Sequence, residues 1–375
     1  MSSTPSAHLQ TLRLEANEDS IAYAAAQLRA GEIVALPTET VYGLAGNARD
    51  AAAVARIFAA KGRPSFDPLI VHLASESGET FTSPSRQLEA QGWIDAAALS
   101  EEAQAIVDRL VRAFWPGPLT LVLPRAPAVL EAVPGAVPTV ALRMPSHPIM
   151  QRVLQQSGCA LAAPSANRFA QISPTRAEHV MAELQGRIPL VLDAGPCAIG
   201  LESTIVQVDA EGGLALLRPG KIGASLLASF GRLRRASEGA VHESTRPLAP
   251  GMLSRHYAPQ TLTRLFETPL SLAQSLRELG ASLQSARAGE GIGLLLLQAP
   301  DAELRALLNT WPAHYCRWLS EGGDAEEAAH RLYASLRELD GLALSALWVQ
   351  CPTQEEGLWG AIRDRLRRAA AAPAD

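Results

Sequence analysis

The sequence predicts an α/β protein of two units, a larger twisted mixed sheet flanked by helices and then a small parallel-sheet domain. Short apolar runs rich in Val, Ile and Leu alternate with amphipathic stretches, the pattern of strands interleaved with helices. Over residues 1–235 that interleaving is irregular, which argues a mixed sheet, whereas residues 261–375 alternate strand and helix regularly, which argues a parallel one. Between them, residues 236–260 shift to Ser, Glu, Pro, Gly and His with little periodicity, the composition of a linker.

Taken in order, residues 17–30 form an amphipathic helix closed by Gly31. The run Ile33-Val34-Ala35-Leu36 is a buried strand stopped by Pro37. Asp50 caps a helix over 51–60, with Val54, Ile57 and Phe58 at helical spacing. Strands follow at 69–73, 119–123, 140–144, 189–193, 203–208 and 214–217, with helices at 100–114, 148–156, 174–184 and 224–230. Residues 76–94 carry no assignable chemistry and are expected as a surface insertion. Trp115-Pro116-Gly117-Pro118 is a rigid turn with an aromatic anchor. The C-terminal part predicts strands at 262–266, 292–298 and 342–350, and helices at 270–288, 301–308, 325–339 and 358–370.

Composition narrows the function. A formal net charge of −5 gives no footprint of a dedicated nucleic-acid binder. The local clusters Arg232, Arg234, Arg235 and Arg363, Arg365, Arg367, Arg368 are expected on solvated helix faces. The four cysteines, Cys159, Cys197, Cys316 and Cys351, stand alone, so no zinc or redox motif is supported and a reducing cytoplasm suits them. Neither a signal peptide nor an apolar run long enough for a bilayer is evident, so a cytosolic, soluble protein is expected.

Chemistry-bearing residues gather where strands end. After Pro37 come Thr38, Glu39 and Thr40; an extended backbone would turn both hydroxyls to one side and the carboxylate to the other. Lys61 and Arg63 stand two apart in a Gly/Pro-broken stretch, and converging cations suit a polyanion such as a nucleoside triphosphate. Alone, such a pair is usually solvated; the neighbouring hydroxyls favour the binding reading. In Ala162-Ala163-Pro164-Ser165-Ala166-Asn167, Pro164 keeps the chain extended, and Ser165 and Asn167 then offer a hydroxyl and an amide to phosphate or ribose oxygens. Ser173-Pro174 has the form of a helix start, with Ser173 as N-cap and a second anion site at the helix N-terminus.

Seven strings then occur in one order: PTETVYGL, KGRP with PLIVH, FWPGPLTLVL, TVALRMPSHP, APSAN, GLESTIV and LLRPG. Together they resemble the YrdC-like family, and with PGMLSRHYAP at residues 250–259 the whole chain resembles its two-domain threonylcarbamoyl-adenylate synthases. The resemblance implies a YrdC-like catalytic domain over 1–235, a linker or lid over 236–260 and a Rossmann-like accessory domain over 261–375 without its own chemistry. It implies condensation of L-threonine, bicarbonate or carbon dioxide, and ATP with Mg2+ into L-threonylcarbamoyladenylate and pyrophosphate. Partner proteins would then use that adenylate to modify tRNA beside the anticodon, without stable tRNA binding by this chain.

The same resemblance assigns Thr40, His72, Thr139, Arg143, Ala163 and Ser203 to threonine, and Lys61, Arg63, Asp67, Ser165, Asn167, Ser173, Arg218 and His256 to ATP, with Lys61 and Arg63 catalytic and no protein ligand to a metal. Each residue has a plainer alternative: His72 as a core histidine, Arg143 in a structural ion pair, Ser203 as a strand start. Asp67 departs from the Asn or His of many relatives; it would touch magnesium or a ribose hydroxyl, or face away. An RNA-binding module conflicts with the acidic net charge. A carbamoyl-transfer domain of the hydrogenase-maturation type would carry acylphosphatase and zinc-finger segments, which this sequence does not contain.

Overall fold

The computed structural model describes residues 9–75, 83–235, 247–253, 255–268, 291–309 and 314–371. Eleven strands form one mixed sheet: β1 (Leu12–Glu15), β2 (Val34–Leu36), β3 (Gly43–Asn47), β4 (Ile70–His72), β5 (Leu119–Pro124), β6 (Thr139–Arg143), β7 (Leu161–Ala162), β8 (Leu190–Asp193), β9 (Thr204–Val208), β10 (Leu214–Arg218) and β11 (Leu233–Arg235). Their order is β1-β8-β2-β3-β7-β4-β6-β5-β9-β10-β11. Parallel pairs such as β4 with β6 adjoin antiparallel ones such as β5 with β6, as the irregular alternation predicts.

Helices α1 (Glu18–Arg29), α2 (Ala51–Lys61), α3 (Pro84–Ala90), α4 (Glu101–Phe114), α5 (Pro148–Ser157), α6 (Ala177–Leu184) and α7 (Ala224–Leu227) belong to this first unit. Asp50 caps α2, its carboxylate accepting from the Ala52 and Ala53 amides. The segment expected as a surface insertion is in part core. Leu88, Trp93 and Ile94 are buried there, and the Asp108 carboxylate on α4 accepts from the Ser85 amide at 2.7 Å and the Ser83 hydroxyl at 3.1 Å. Residues 76–82 of that expectation lie outside the described residues.

The second unit is a parallel sheet of four strands, β12 (Thr263–Phe266), β13 (Ile292–Gln298), β14 (His314–Ser320) and β15 (Ala346–Gln350), in the order β12-β15-β13-β14. Helices Ala302–Leu308, Ala325–Asp340 and Gly357–Ala370 accompany it. The helix expected at 270–288 falls outside the described residues. The two units share an apolar cluster in which Val41, Ile172 and Leu201 of the first meet Leu332 and Leu336 of the second, with Tyr257 among them. No helix among the described residues is long and apolar enough to cross a membrane.

Strands β1, β11 and β14, absent from the sequence reading, are all sheet edges. Edge positions are half solvated, so strings such as LRLE, LRR and HYCRWLS lack a continuous apolar run. In β3 the string GLAGN hides a strand because glycine has little strand propensity. The arginine clusters also differ from expectation. Arg234 lies on β11, not on a helix, and Arg365 on the last helix is 1% exposed.

Candidate functional site

A small cavity lies where several strands of the large sheet end, beneath the segment that follows residue 250. It encloses about 40 Å³, with Thr40, Arg63, His72, Arg143, Ala163, Ser165, Arg218 and His256 on its walls. Thr38, Val41, Glu202, Gly251 and Tyr257 complete the lining used below. Ligand pockets usually run to hundreds of cubic ångströms, so the cavity as it stands has room for little more than a water molecule.

The hydroxyl wall is a local turn. The Thr38 hydroxyl accepts from the Thr40 and Val41 amides at 3.1 and 3.2 Å and donates to the Val41 carbonyl at 2.6 Å. This folds the backbone back and sets the Thr38 and Thr40 hydroxyls 2.9 Å apart. Arg143, at the end of β6, donates to the Thr40 hydroxyl at 2.9 Å and lies 2.6 Å from the Glu39 carboxylate. Burial pushes the Glu39 carboxyl up, but Arg143 outweighs it and holds the group below its usual range. His72 pairs with Arg143 in register across β4 and β6. Burial and the Arg143 charge push the imidazole down to about 3, so it is neutral.

The opposite wall carries more guanidinium. Gly62 ends α2 in the left-handed region at φ 63° and releases Arg63 toward the cavity. Arg63 is fixed by the Asp67 and Pro68 carbonyls at 3.2 and 2.8 Å and by the Asp67 carboxylate at 3.0 Å. Burial pushes the Asp67 carboxyl up despite that neighbour. Arg218, ending β10, donates to the Ser203 carbonyl and hydroxyl at 3.1 and 3.0 Å and to the Pro250 carbonyl at 3.2 Å. The floor, Ala163 to Ser165, is set by the Leu44 amide donating to the Pro164 carbonyl at 2.7 Å and the Ala166 amide to the Tyr42 carbonyl at 2.8 Å.

Pro250, Gly251, His256 and Tyr257 close the cavity. Gly251 has φ 78°, and a Cβ there would stand 2.3 Å from the Tyr257 hydroxyl, so no other residue fits without movement. Tyr257 itself has φ 61°, a strained backbone for a bulky side chain. Its ring packs on His256 with centroids 4.1 Å apart, and its buried hydroxyl has no hydrogen-bond partner among the described residues. Burial and the charges of Arg63, Lys61 and Arg218 push His256 well below its ordinary value, so it too is neutral.

Eight of the sequence-predicted residues therefore meet at the cavity: Thr40, Arg63, His72, Arg143, Ala163, Ser165, Arg218 and His256. Others stand behind its walls. Lys61 is not beside Arg63 in the opening; it ends α2, and its ammonium donates to the Ser165 and Asn167 carbonyls at 2.6 and 2.5 Å. Burial and the neighbouring Arg63 push that ammonium down to about 7. Asn167 braces the same loop by donating to the Arg168 and Gln171 carbonyls at 2.8 and 2.9 Å. Ser203 touches the Thr120 hydroxyl at 2.7 Å and reaches the cavity through Arg218. Asp67 is spent on Arg63 and is no direct wall.

Two expectations fail on geometry. Thr139 opens β6 while Arg143 ends it, about 13 Å along an extended strand, so Thr139 does not reach the cavity. Ser173 is not a helix cap, because α6 starts at Ala177 behind Arg176. The intervening carbonyls of Pro174 and Thr175 instead accept from the Tyr42 and Cys197 amides at 2.8 and 3.0 Å, and Ser173 lies buried beside Glu202. Missed altogether was Glu202, which sits in the GLESTIV string without a periodic signal; its partners are far away in sequence.

The family described as "Telomere recombination" (Sua5/YciO/YrdC) matches residues 26–220, and "Threonylcarbamoyl-AMP synthase, C-terminal domain" matches residues 222–371. Proteins named threonylcarbamoyl-AMP synthase from Bacillus subtilis and Pyrococcus abyssi are each 36% identical over 96% of the chain, covering 95% and 96% of their own lengths. The crystal structure of P. abyssi Sua5 complexed with L-threonine superposes with a TM-score of 0.78 at 34% identity, over 96% of this chain and 97% of that one.

Proposed function

The chain belongs to the Sua5/YciO/YrdC family, to its two-domain threonylcarbamoyl-AMP synthases, and on that premise we propose that the cavity joins L-threonine, bicarbonate or carbon dioxide, and ATP into L-threonylcarbamoyladenylate, releasing pyrophosphate. The observation that carries this reading is the convergence of the Arg63, Arg143 and Arg218 guanidinium groups on one buried cavity with a hydroxyl wall at Thr38 and Thr40.

The reaction needs such a charge distribution. The neutral amine of threonine attacks carbon dioxide, loses a proton and becomes a carbamate; its α-amino group titrates at about 8 when free. A carbamate oxygen then attacks the α-phosphorus of ATP, and the bond to the β-phosphate oxygen breaks as pyrophosphate leaves. Both partners are anions, so fixed cations lower the repulsion and stabilise the leaving group without reorganising. In this reading Arg143, Thr40, Ala163 and the neutral His72 form the threonine end, with Ser203 acting through Arg218. Arg63, Ser165, Arg218 and His256 form the nucleotide end, with Lys61 and Asn167 holding the Ser165 loop. An imidazole at about 3 is too weak a base to take the amine's proton at neutral pH, so His72 shapes and insulates the site.

A cavity of about 40 Å³ cannot hold both substrates, so the segment carrying His256 and Tyr257 must lift to admit them and would close again to keep water from the carbamate and mixed anhydride. Magnesium would enter with the triphosphate. Among the described residues no group of three His, Cys, Asp or Glu side chains converges, and Glu202 on the wall is already engaged by Arg365 and Tyr333. In the cell, the cytoplasm is the compartment that fits, and the adenylate would pass to proteins that modify tRNA beside the anticodon.

The test is pyrophosphate release from ATP by the purified chain. Release should require L-threonine and bicarbonate together and be near background with either omitted. Equal release without threonine would refute the reading.

A further inference from the structure

The C-terminal domain makes a buried polar contact with the cavity wall at Glu202. Helices Ala325–Asp340 and Gly357–Ala370 supply Tyr333 and Arg365, which are 0% and 1% exposed. The Tyr333 hydroxyl donates to the two Glu202 carboxylate oxygens at 3.1 and 2.9 Å, and Arg365 Nε donates to one of them at 2.8 Å. Nη2 of the same guanidinium donates to the Pro219 carbonyl at 2.9 Å, and Nη1 to the neighbouring Asp364 carboxylate at 2.6 Å. Arg365 therefore grips the residue before Ser203 and the residue after Arg218, the pair whose 3.0 Å hydrogen bond forms that wall. Its guanidinium also lies 5.2 Å from the centroid of the Tyr257 ring, which stacks on Tyr333 at 5.8 Å.

Docking alone does not call for this. The boundary already has an apolar cluster, and a buried ion pair adds little net stability over an apolar contact of the same shape. What the pair does supply is fixed geometry. Burial drives the Glu202 carboxyl upward, yet the Arg365 and Arg218 charges hold it below its ordinary range, so it stays an anion between two guanidinium groups.

We propose that Arg365 and Tyr333 of the C-terminal domain are positioning residues of the active site, holding Glu202 so that Ser203, Arg218 and the Tyr257 ring keep their places. The domain without chemistry of its own thus completes the site of the other. This rests on the reading of the cavity as the nucleotide site, so the test has one readout that needs no turnover.

Full-length Tyr333→Phe, Arg365→Lys and wild type are compared by backbone amide exchange and by steady-state pyrophosphate release. Tyr333→Phe keeps the ring stack and removes only the hydroxyl; Arg365→Lys keeps the charge and loses the fork. Exchange should quicken at residues 201–204 and at Tyr257 in both variants. kcat/KM for ATP should fall about tenfold in Tyr333→Phe and about a hundredfold in Arg365→Lys. Arg337→Met is the control, since Arg337 also crosses the boundary, to Glu183 and the Ile172 carbonyl, away from the cavity wall. It should lower the melting temperature and leave exchange at 201–204 and kcat/KM unchanged. Folded Tyr333→Phe and Arg365→Lys proteins with wild-type exchange overturn the proposal, and so does faster exchange with wild-type kcat/KM. If wild type itself releases no pyrophosphate, the reading of the cavity fails and the exchange pattern alone decides the positioning role.

Discussion

Buried charge is distributed unequally between the two domains. The large sheet's domain encloses Glu39, Lys61, Arg63, Asp67, Arg143, Glu202 and Arg218 around the site, and Asp108 away from it. Among the described residues the C-terminal domain encloses a single charged side chain, Arg365, and it faces Glu202 of the other domain. Elsewhere its interior is apolar, as in the cluster of Phe266, Leu294, Leu296, Leu304 and Trp348. Burying a charge costs several kcal/mol unless it is paired, so a fold accumulates such groups where chemistry requires them. The difference teaches that the two domains use their interiors for different ends, and that the exception in the smaller one belongs to the larger one's site.

The strongest way to break this comparison is to remove a buried cation. Arg143→Met leaves the Glu39 carboxylate buried and unpaired and should cost about 3–5 kcal/mol in urea unfolding. Turnover should also fall by about a hundredfold, because a charge-assisted contact to an anionic substrate is lost. The double variant Arg143→Met/Glu39→Met should recover most of the stability and none of the turnover. Wild-type turnover in the double variant would show that the pair is structural, and the comparison would lose its functional half.

The C-terminal interior should behave in the opposite way. Leu294, on β13, is fully buried in an apolar cluster made only of C-terminal residues. Leu294→Ala should cost about 2–5 kcal/mol through lost contacts and the cavity left behind. Below the melting transition kcat and both KM values should match wild type. A fall in kcat for the folded variant would mean that this distant core also tunes the site.

Acid sharpens the contrast further. The His72 imidazole titrates at about 3 in the fold against about 6.5 when free. Between these values the unfolded chain binds a proton that the folded chain refuses, so stability present above pH 6.5 is lost as pH falls toward 3. The loss is on the order of a few kcal/mol, since each tenfold rise in proton activity across that window favours the unfolded chain by about 1.4 kcal/mol. His72→Gln should flatten the stability–pH curve over that window, and an unchanged slope would show that other groups govern acid unfolding.

What the sequence made legible follows the same division. Thr40 after Leu36, Arg63 after α2 and Ser165 after β7 are visible because they stand where an element stops, as polar members interrupting apolar runs, whereas His72, Arg143, Arg218 and His256 came only with the family resemblance. Thr139 was misplaced because a motif gives proximity in sequence, whereas an extended strand carries its two ends apart. Ser173 was misplaced because the Ser-Pro pattern marks a helix start only if nothing competes, and here the Tyr42 and Cys197 amides engage the Pro174 and Thr175 carbonyls. Arg365 was read as solvated because its partner lies 163 residues away, and no local pattern signals a contact of that span. Edge strands β1, β11 and β14 escaped because half-solvated positions carry no apolar run.

The smallest expected effect concerns a second ion pair across the same boundary, an exposed one. Lys221 and Glu326 also join the two domains through an ion pair, at 2.9 Å, but their side chains are 42% and 69% exposed. Water and salt screen such a pair, and holding two long side chains in one geometry costs entropy, so Lys221→Ala should shift stability by less than about 1 kcal/mol. Even that shift should vanish in molar salt, where screening acts within about 3 Å. Turnover should not change, since Lys221 is absent from the cavity wall. The Arg365–Glu202 contact crosses the same boundary at 2.8 Å but is buried and uses the guanidinium fork, so the two contacts differ in burial, in the geometry of the cation and in what each one touches. If Lys221→Ala costs as much stability and turnover as Arg365→Lys, exposure does not separate structural from functional charge in this molecule.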